Sequence, residues 1–127
     1  MAQDIAKIRN VAFVGHGGVG KTSLVESILL AAGATTRLGK VDDGTTATDF
    51  DPDEIKRKIS LNTAVAFCDY KGHRLSLSGT PGYGDFVADA RAGLRVASAA
   101  VVVVDAVAGV QVQTEKVWGY CDEYALP

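Results

Sequence analysis

Residues 15–22 read Gly-His-Gly-Gly-Val-Gly-Lys-Thr, with the spacing Gly-x-x-x-x-Gly-Lys-Thr. Each residue type answers a chemical need. Glycines let successive backbone N–H groups curl around phosphate oxygens, and a helix starting at the end of the segment turns its positive pole to the same anion. Lys21 would reach the β- and γ-phosphates of a nucleotide, and the Thr22 hydroxyl would ligate Mg²⁺. Gly15, His16, Gly17, Gly18, Val19, Gly20, Lys21 and Thr22 are therefore the first candidate site. A competing pattern overlaps it, because Gly15, Gly17 and Gly20 also spell the dinucleotide fingerprint Gly-x-Gly-x-x-Gly. Asp42-Asp43 lie about 20 residues on, where a ribose ligand would be sought. That carboxylate should close a second strand, whereas these two sit in a Gly/Thr-rich stretch, and a dinucleotide fold has no need of Lys21-Thr22.

The elements that must position the loop follow from apolar spacing. Val11-Ala12-Phe13-Val14 is a short apolar run that predicts a strand, and from Thr22 to Ala32 apolar residues at 24, 25, 28, 29 and 32 predict a helix buried on one face. Gly33 follows as its left-handed C-terminal residue. Residues 34–58 hold two glycines, five threonines and a mixed-charge stretch ending Lys56-Arg57-Lys58, without a period; such a run in a compact domain is a functional or a disordered loop. Ile59, Leu61, Thr63, Val65 and Phe67 alternate with Ser60, Asn62, Ala64 and Ala66 as a half-buried strand, and Leu75 and Leu77 continue after Lys71-Gly72 as the second strand of a hairpin. Glycines and Pro81 make 78–85 a loop, and Phe86–Ala97 reads as a short helix. The valine-rich run Ala99–Asp105 predicts a strand covered on both faces, as in a parallel sheet, and Val112–Tyr124 a last helix. The fold class is α/β, a mostly parallel sheet flanked by helices with one antiparallel hairpin strand.

Composition narrows the function classes. A chain of 127 residues, 47% hydrophobic and 22% charged, fits one globular domain. A net charge of −2 gives no overall basic field for a nucleic acid, which argues against DNA and confines any RNA contact to a local patch such as Lys56-Arg57-Lys58. The longest apolar run, Ala99–Val104, is far short of the roughly 20 residues of a membrane span, and Met1-Ala2-Gln3-Asp4 does not open a signal peptide. The expectation is a cytoplasmic protein without a membrane partner. Cys68 and Cys121 suit neither a disulfide framework nor a zinc site and read as small buried hydrophobes.

Four blocks together resemble the GTP-binding domain of translational GTPases, elongation factor G and its paralogues. They are residues 15–22, Thr48-Asp49-Phe50 leading to Lys56-Arg57-Lys58-Ile59-Ser60, Thr80-Pro81-Gly82-Tyr83-Gly84-Asp85-Phe86, and Val103-Val104-Asp105-Ala106-Val107-Ala108-Gly109-Val110. The resemblance implies a phosphate-loop NTPase fold, GTP/GDP and Mg²⁺ as ligands, the ribosome as partner of the complete protein, and a monomer. It makes residues 34–60 a first switch, with Ser60 in the place of a threonine whose hydroxyl binds Mg²⁺ beside Thr22. A second switch would run from Gly79 through Phe86, so that Gly79, Thr80, Pro81, Gly82 and Tyr83 join the nucleotide site and the Gly82 N–H faces the γ-phosphate. His16 belongs to the phosphate loop and would serve its packing. It also implies that residues 1–127 are the front part of such a domain, ending before the guanine-recognition strand; apolar residues of the last helix, Val117, Trp118, Cys121 and Tyr124, would then include some meant for that strand.

Three departures from the family pattern bear on catalysis. The family's Mg²⁺-facing Asp is Gly79 here, the water-orienting histidine is Tyr83, and Asn-Lys-x-Asp is absent, the only asparagines being Asn10 and Asn62. A phenol with a pKa near 10 is a poor base, so Tyr83 would contribute water positioning alone, with Lys21 supplying charge. Hydrolysis of GTP is the first reading. A nucleotide-binding interaction module with little catalysis, or a P-loop ATPase or kinase in which Asp105 acts as the metal carboxylate, are the alternatives; Asp105 otherwise caps the loop after its strand.

Overall fold

The computed structural model describes residues 4–84 and 87–127. Strand β1 (Ile8–Val14) sends Val11 and Phe13 into one apolar layer and Ala12 and Val14 into another, so it requires cover on both faces. It takes an interior place in a four-stranded sheet of order β2, β3, β1, β4, parallel to β3 (His73–Gly79) and β4 (Ala99–Val102), while β2 (Ala64–Tyr70) runs antiparallel to β3. Helix α1 (Lys21–Ala31) lays Val25 and Leu29 over Phe13, Cys68 and Leu77. On the other face, Leu94 of α3 (Val87–Arg95) and Val117 and Cys121 of α4 (Val112–Glu123) pack on Ala12 and Val14. The expected α/β sheet with helices on both faces and one antiparallel hairpin strand is therefore present. Both cysteines are buried and free, as expected. None of the described helices is long and apolar enough to cross a membrane.

The stretch before the hairpin departs from expectation in two ways. First, 34–58 is not structureless throughout: a short helix, α2 (Pro52–Arg57), begins at Asp51, whose carboxylate accepts from Asp53 N, with Pro52 in its first turn and Glu54 accepting back from Asp51 N. Asp-Pro-x-Glu is a capping-box signature, a local signal that the aperiodic reading passed over. Second, β2 starts at Ala64 rather than Ile59. The amides of Leu61 and Asn62 are taken by the Glu54 carboxylate, at 2.9 and 3.0 Å, and Ile59 N by the Glu54 carbonyl, so none of the three is free for a ladder.

The phase of β2 is also reversed. Ala64 and Cys68 are buried, Cys68 packing with Val25 and Leu29 of α1, whereas Val65 and Phe67 are 67% and 62% exposed. Val65 and Phe67 pair with Ser78 and Ser76, on the sheet face that α3 and α4 cover only over β1 and β4. At this edge the Arg74 guanidinium, paired with Asp69, lies 4.8 Å over the Phe67 ring. The hairpin turn falls where expected: Lys71 (φ 47°) and Gly72 (φ 76°) both take the left-handed conformations that a two-residue hairpin turn demands. β4 is an edge strand among the described elements, with Val101 38% exposed, so it is not covered as the valine run predicted. It ends at Val102, and α3 runs over Val87–Arg95 within the expected 86–97. Of the apolar residues on α4, Val117 and Cys121 are buried and Trp118 is exposed.

Candidate functional site

The glycine-rich loop leaves β1 at Val14 and enters α1 at Lys21. Gly20 caps α1 in the left-handed conformation (φ 93°), makes no side-chain cap bond, and no acidic residue stands in the first turn, so the positive pole of α1 is left to an anion. Lys21 is buried. Its ammonium donates to the carbonyls of His16 (2.7 Å) and Gly15 (3.1 Å), and burial lowers its pKa from 10.5 to about 8 against the opposing charge of Asp49.

Long-range contacts bring the rest of the site to this loop. Glu26 on α1 is buried and accepts from Ala47 N at 2.7 Å, and Thr46 Oγ1 accepts from Asp49 N, so the chain is pinned alongside the loop at 46–49. Glu54 holds Leu61 and Asn62 and thereby brings Ser60 in. The Ser60 hydroxyl donates to Asp49 Oδ1 at 2.7 Å and lies 3.2 Å from Thr22 Oγ1, 38 residues away in sequence. With its single proton committed to Asp49, Ser60 is the acceptor and Thr22 the donor. Burial raises the Asp49 pKa, opposed by the Ser60 hydroxyl, raised further by Glu54 and opposed again by Thr22 and Lys21.

From the other side the segment after β3 folds onto the loop. Thr80 N and Oγ1 both donate to the Phe13 carbonyl, fixing where the segment leaves the sheet. Gly82 follows so closely over Lys21 and Gly17 that a Cβ on it would stand 2.6 Å from Gly17 N, which leaves room for glycine only. The Tyr83 ring covers Gly17, where a Cβ would meet Tyr83 Cζ at 2.5 Å, and Tyr83 is itself 40% exposed.

A pocket of about 200 Å³ results, lined by Gly17, Gly18, Gly20, Lys21, Thr22, Ser60, Thr80, Gly82 and Tyr83 of the residues that the sequence singled out. Gly15, His16, Val19, Gly79 and Pro81 are not part of this lining; the His16 carbonyl holds Lys21 while its Nδ1 is buried without a partner. Asp49, Lys58, Ile59, Val41 and Ser23 also line the pocket, a place that sequence reasoning gave to none of them. Asp49 and Lys58 stood in motif blocks, but nothing local marks either as facing the loop. Asp85 and Phe86 of the second block lie outside the described residues.

The competing assignments find other surroundings. Asp42 sits at an exposed turn, 3.9 Å from Lys58, and closes no strand. Asp105 Oδ1 accepts from Val107 N and Ala108 N, both at 2.7 Å, which lowers its pKa and commits it to capping its own loop. Lys56 and Arg57 form the exposed last turn of α2.

The Lys21 environment carries a pH prediction. An anion beside the ammonium raises its pKa above the value of about 8 in the free protein. Phosphate binding therefore takes up a proton where the free amine is deprotonated, and affinity falls as pH rises through about 8 while staying flat below it. Titration calorimetry at about pH 9 in buffers of different ionisation enthalpy should register proton uptake, and none if Lys21 lies away from the phosphates.

A Gly-x-x-x-x-Gly-Lys-Thr loop between the first strand and first helix of a mainly parallel sheet marks the phosphate-loop NTPase fold. Residues 6–127 match the elongation factor Tu GTP-binding domain, and the chain belongs to that family. It is 44% identical over 123 residues to elongation factor G 2 of Streptomyces coelicolor, covering 97% of this chain and 18% of the relative. It is 45% identical over 120 residues to an elongation factor G-like protein of Mycobacterium tuberculosis, covering 94% and 17%. With the mitochondrial ribosome-releasing factor 2 of Bos taurus it shares 46% over 123 residues, covering 97% and 16%. A crystal structure from Thermus thermophilus superposes with a TM-score of 0.92 at 48% identity, over 96% of this chain and 18% of that one. The chain thus spans under a fifth of the length of these relatives.

Proposed function

We propose that this chain binds GTP and GDP with Mg²⁺ in the pocket between the glycine-rich loop, Ser60 and Gly82, and that within the complete protein this site hydrolyses GTP on the ribosome as a soluble, cytoplasmic translation factor. The observation that carries the reading is the meeting of Thr22 Oγ1 and Ser60 Oγ at 3.2 Å beside the buried Lys21. Hydroxyl and carboxylate oxygens are the hard donors that Mg²⁺ takes, and Asp49 Oδ2 is buried there without a hydrogen-bond partner, so the donor set fits the ion.

In this reading the amides of the loop and of the first turn of α1 cradle the phosphates, and Lys21 exchanges its carbonyl partners for phosphate oxygens. Thr22 and Ser60 hold the ion, which when bound neutralises charge on the terminal phosphates. Gly82 N–H is the contact that senses a γ-phosphate, and Tyr83 positions a water without acting as a base. Residues 34–60 and 79–84 are then the two segments whose order depends on the nucleotide.

Ser60→Ala tests this directly. It should weaken binding of a non-hydrolysable GTP analogue by about tenfold, about 1.4 kcal/mol, and leave GDP nearly unchanged, because only the triphosphate state needs the first segment ordered. Equal losses for both nucleotides would show that 34–60 is no switch. Competition between GTP and ATP in the same assay decides base preference. A second reading, nucleotide binding with little turnover, is favoured by Tyr83 lying on Gly17 and by glycine at position 79. Turnover with and without ribosomes separates the two.

A further inference from the structure

We infer that a second cavity is a binding site for a small zwitterion, a free ligand of amino-acid to tripeptide size with an ammonium at one end and a carboxylate at the other. The cavity measures about 450 Å³ and shares no lining residue with the nucleotide pocket.

It lies between the segment that follows α1 and residues 45–47. Ala34 N and Thr35 N both donate to the Leu29 carbonyl, closing the end of α1, and Thr45 N donates to the Lys40 carbonyl, closing the loop between the two walls. Glu26 of α1 joins the walls by accepting from Ala47 N at 2.7 Å. Glu26, Thr35, Thr36, Arg37, Thr45 and Thr46 make the lining polar; among the described residues only two alanines complete it. The size is that of a small-molecule site, but such sites are mostly apolar, and this one offers a hydrophobic ligand little to pack against.

Charge sets the ligand class. Glu26 is 1% exposed and forms no ion pair, and neither does Arg37; the ion pairs among the described residues join other side chains. Two opposite charges therefore line one cavity without meeting each other. A carboxylate taken out of water costs free energy unless a counter-charge or full hydrogen bonding offsets it, and among the described residues this one has a single amide. An ammonium supplies both the counter-charge and the donors. At the other wall a guanidinium takes a carboxylate through two parallel N–H bonds. Thr35 Oγ1, buried with no hydrogen-bond partner, is a third group that a polar ligand satisfies. A phosphate would suit Arg37 but face Glu26. A metal ion would suit Glu26 but face Arg37, and no cluster of metal-ligating side chains stands among the described residues. A molecule carrying both signs meets both demands. Because Thr46 also accepts from Asp49 N, a ligand here ties the end of α1 to the segment that brings Asp49 to the nucleotide pocket.

The test is hydrogen exchange, read by mass spectrometry, of the full-length nucleotide-free protein titrated with glycine, glycylglycine and triglycine, a ladder that holds the same two charges at increasing separation. At least one of the three should protect residues 34–37 and 45–47 saturably. Its N-acetyl and C-terminal amide forms, each lacking one charge, should bind about tenfold to a hundredfold more weakly, and so should the unblocked molecule to Glu26→Gln and Arg37→Gln, because each change removes one charge-assisted contact. Arg37 is exposed, so Arg37→Gln leaves the fold intact and keeps the test decisive should Glu26→Gln loosen Ala47. Arg37→Glu should reverse the preference and favour the diamine putrescine over the zwitterion, which damage to the cavity would not do. The inference is overturned if none of the three protects these residues, if the blocked forms protect equally well, or if Arg37→Gln binds as tightly as the unmodified protein. Nucleotide takes no part in the measurement, so this result and the functional reading above stand or fall separately.

Discussion

Lys21→Ala lowers nucleotide affinity by roughly tenfold to a hundredfold, since hydrogen bonds to charged groups are worth about 1.5–3 kcal/mol. The structure sharpens this expectation. Lys21 is buried beneath Gly82, its ammonium donates to the carbonyls of Gly15 and His16, and burial already lowers its pKa to about 8. A desolvated charge gains most from an anion, so the loss on truncation falls on the bound state. The free protein should lose little stability, because the substitution also removes the cost of burying the ammonium. Calorimetry with GDP and Mg²⁺, beside urea unfolding of the nucleotide-free protein, separates the two effects. Unchanged affinity would overturn the phosphate-loop assignment.

Glu54→Ala is expected to cost about 2–4 kcal/mol of stability, and to cost it mainly at the pocket. This carboxylate is 2% exposed and accepts three backbone amides: Asp51 N at 3.2 Å, Leu61 N at 2.9 Å and Asn62 N at 3.0 Å. Truncation strands all three donors and removes the capping box of α2, and each part-buried donor left without a partner carries a penalty of about 1–3 kcal/mol unless water reaches it. Because Leu61 and Asn62 directly follow Ser60, the same loss frees the hydroxyl that meets Thr22. Hydrogen exchange at the Leu61 and Asn62 amides should speed up well beyond the global effect, and Glu54→Gln, which retains an accepting oxygen, should lie between the two. Exchange at 61–62 that merely follows global stability would show that Glu54 does not hold Ser60 in place.

Much of the scaffold was legible in the residues alone. Positive-φ glycines at 15, 18 and 20, an apolar run on each side of them and Lys71-Gly72 at a turn are demands of the local backbone, and the structure meets them at β1, α1 and the hairpin. The four motif blocks named the family for the same reason: each is a short string whose residue types are tied to backbone shape. What only the tertiary structure decided is which face and which partner each residue has. Alternation at 59–67 shows that successive side chains point opposite ways but not which set is covered; that depends on α1 lying over Ala66 and Cys68 while α3 and α4 stop at β1 and β4, leaving Val65 and Phe67 in solvent. The same limit hid Asp49. Its burial, its bond to Ser60 and its place beside Thr22 and Lys21 arise from Glu26, Thr46 and Glu54 reaching across the chain, and hydrogen bonds between residues distant in sequence leave no period to read.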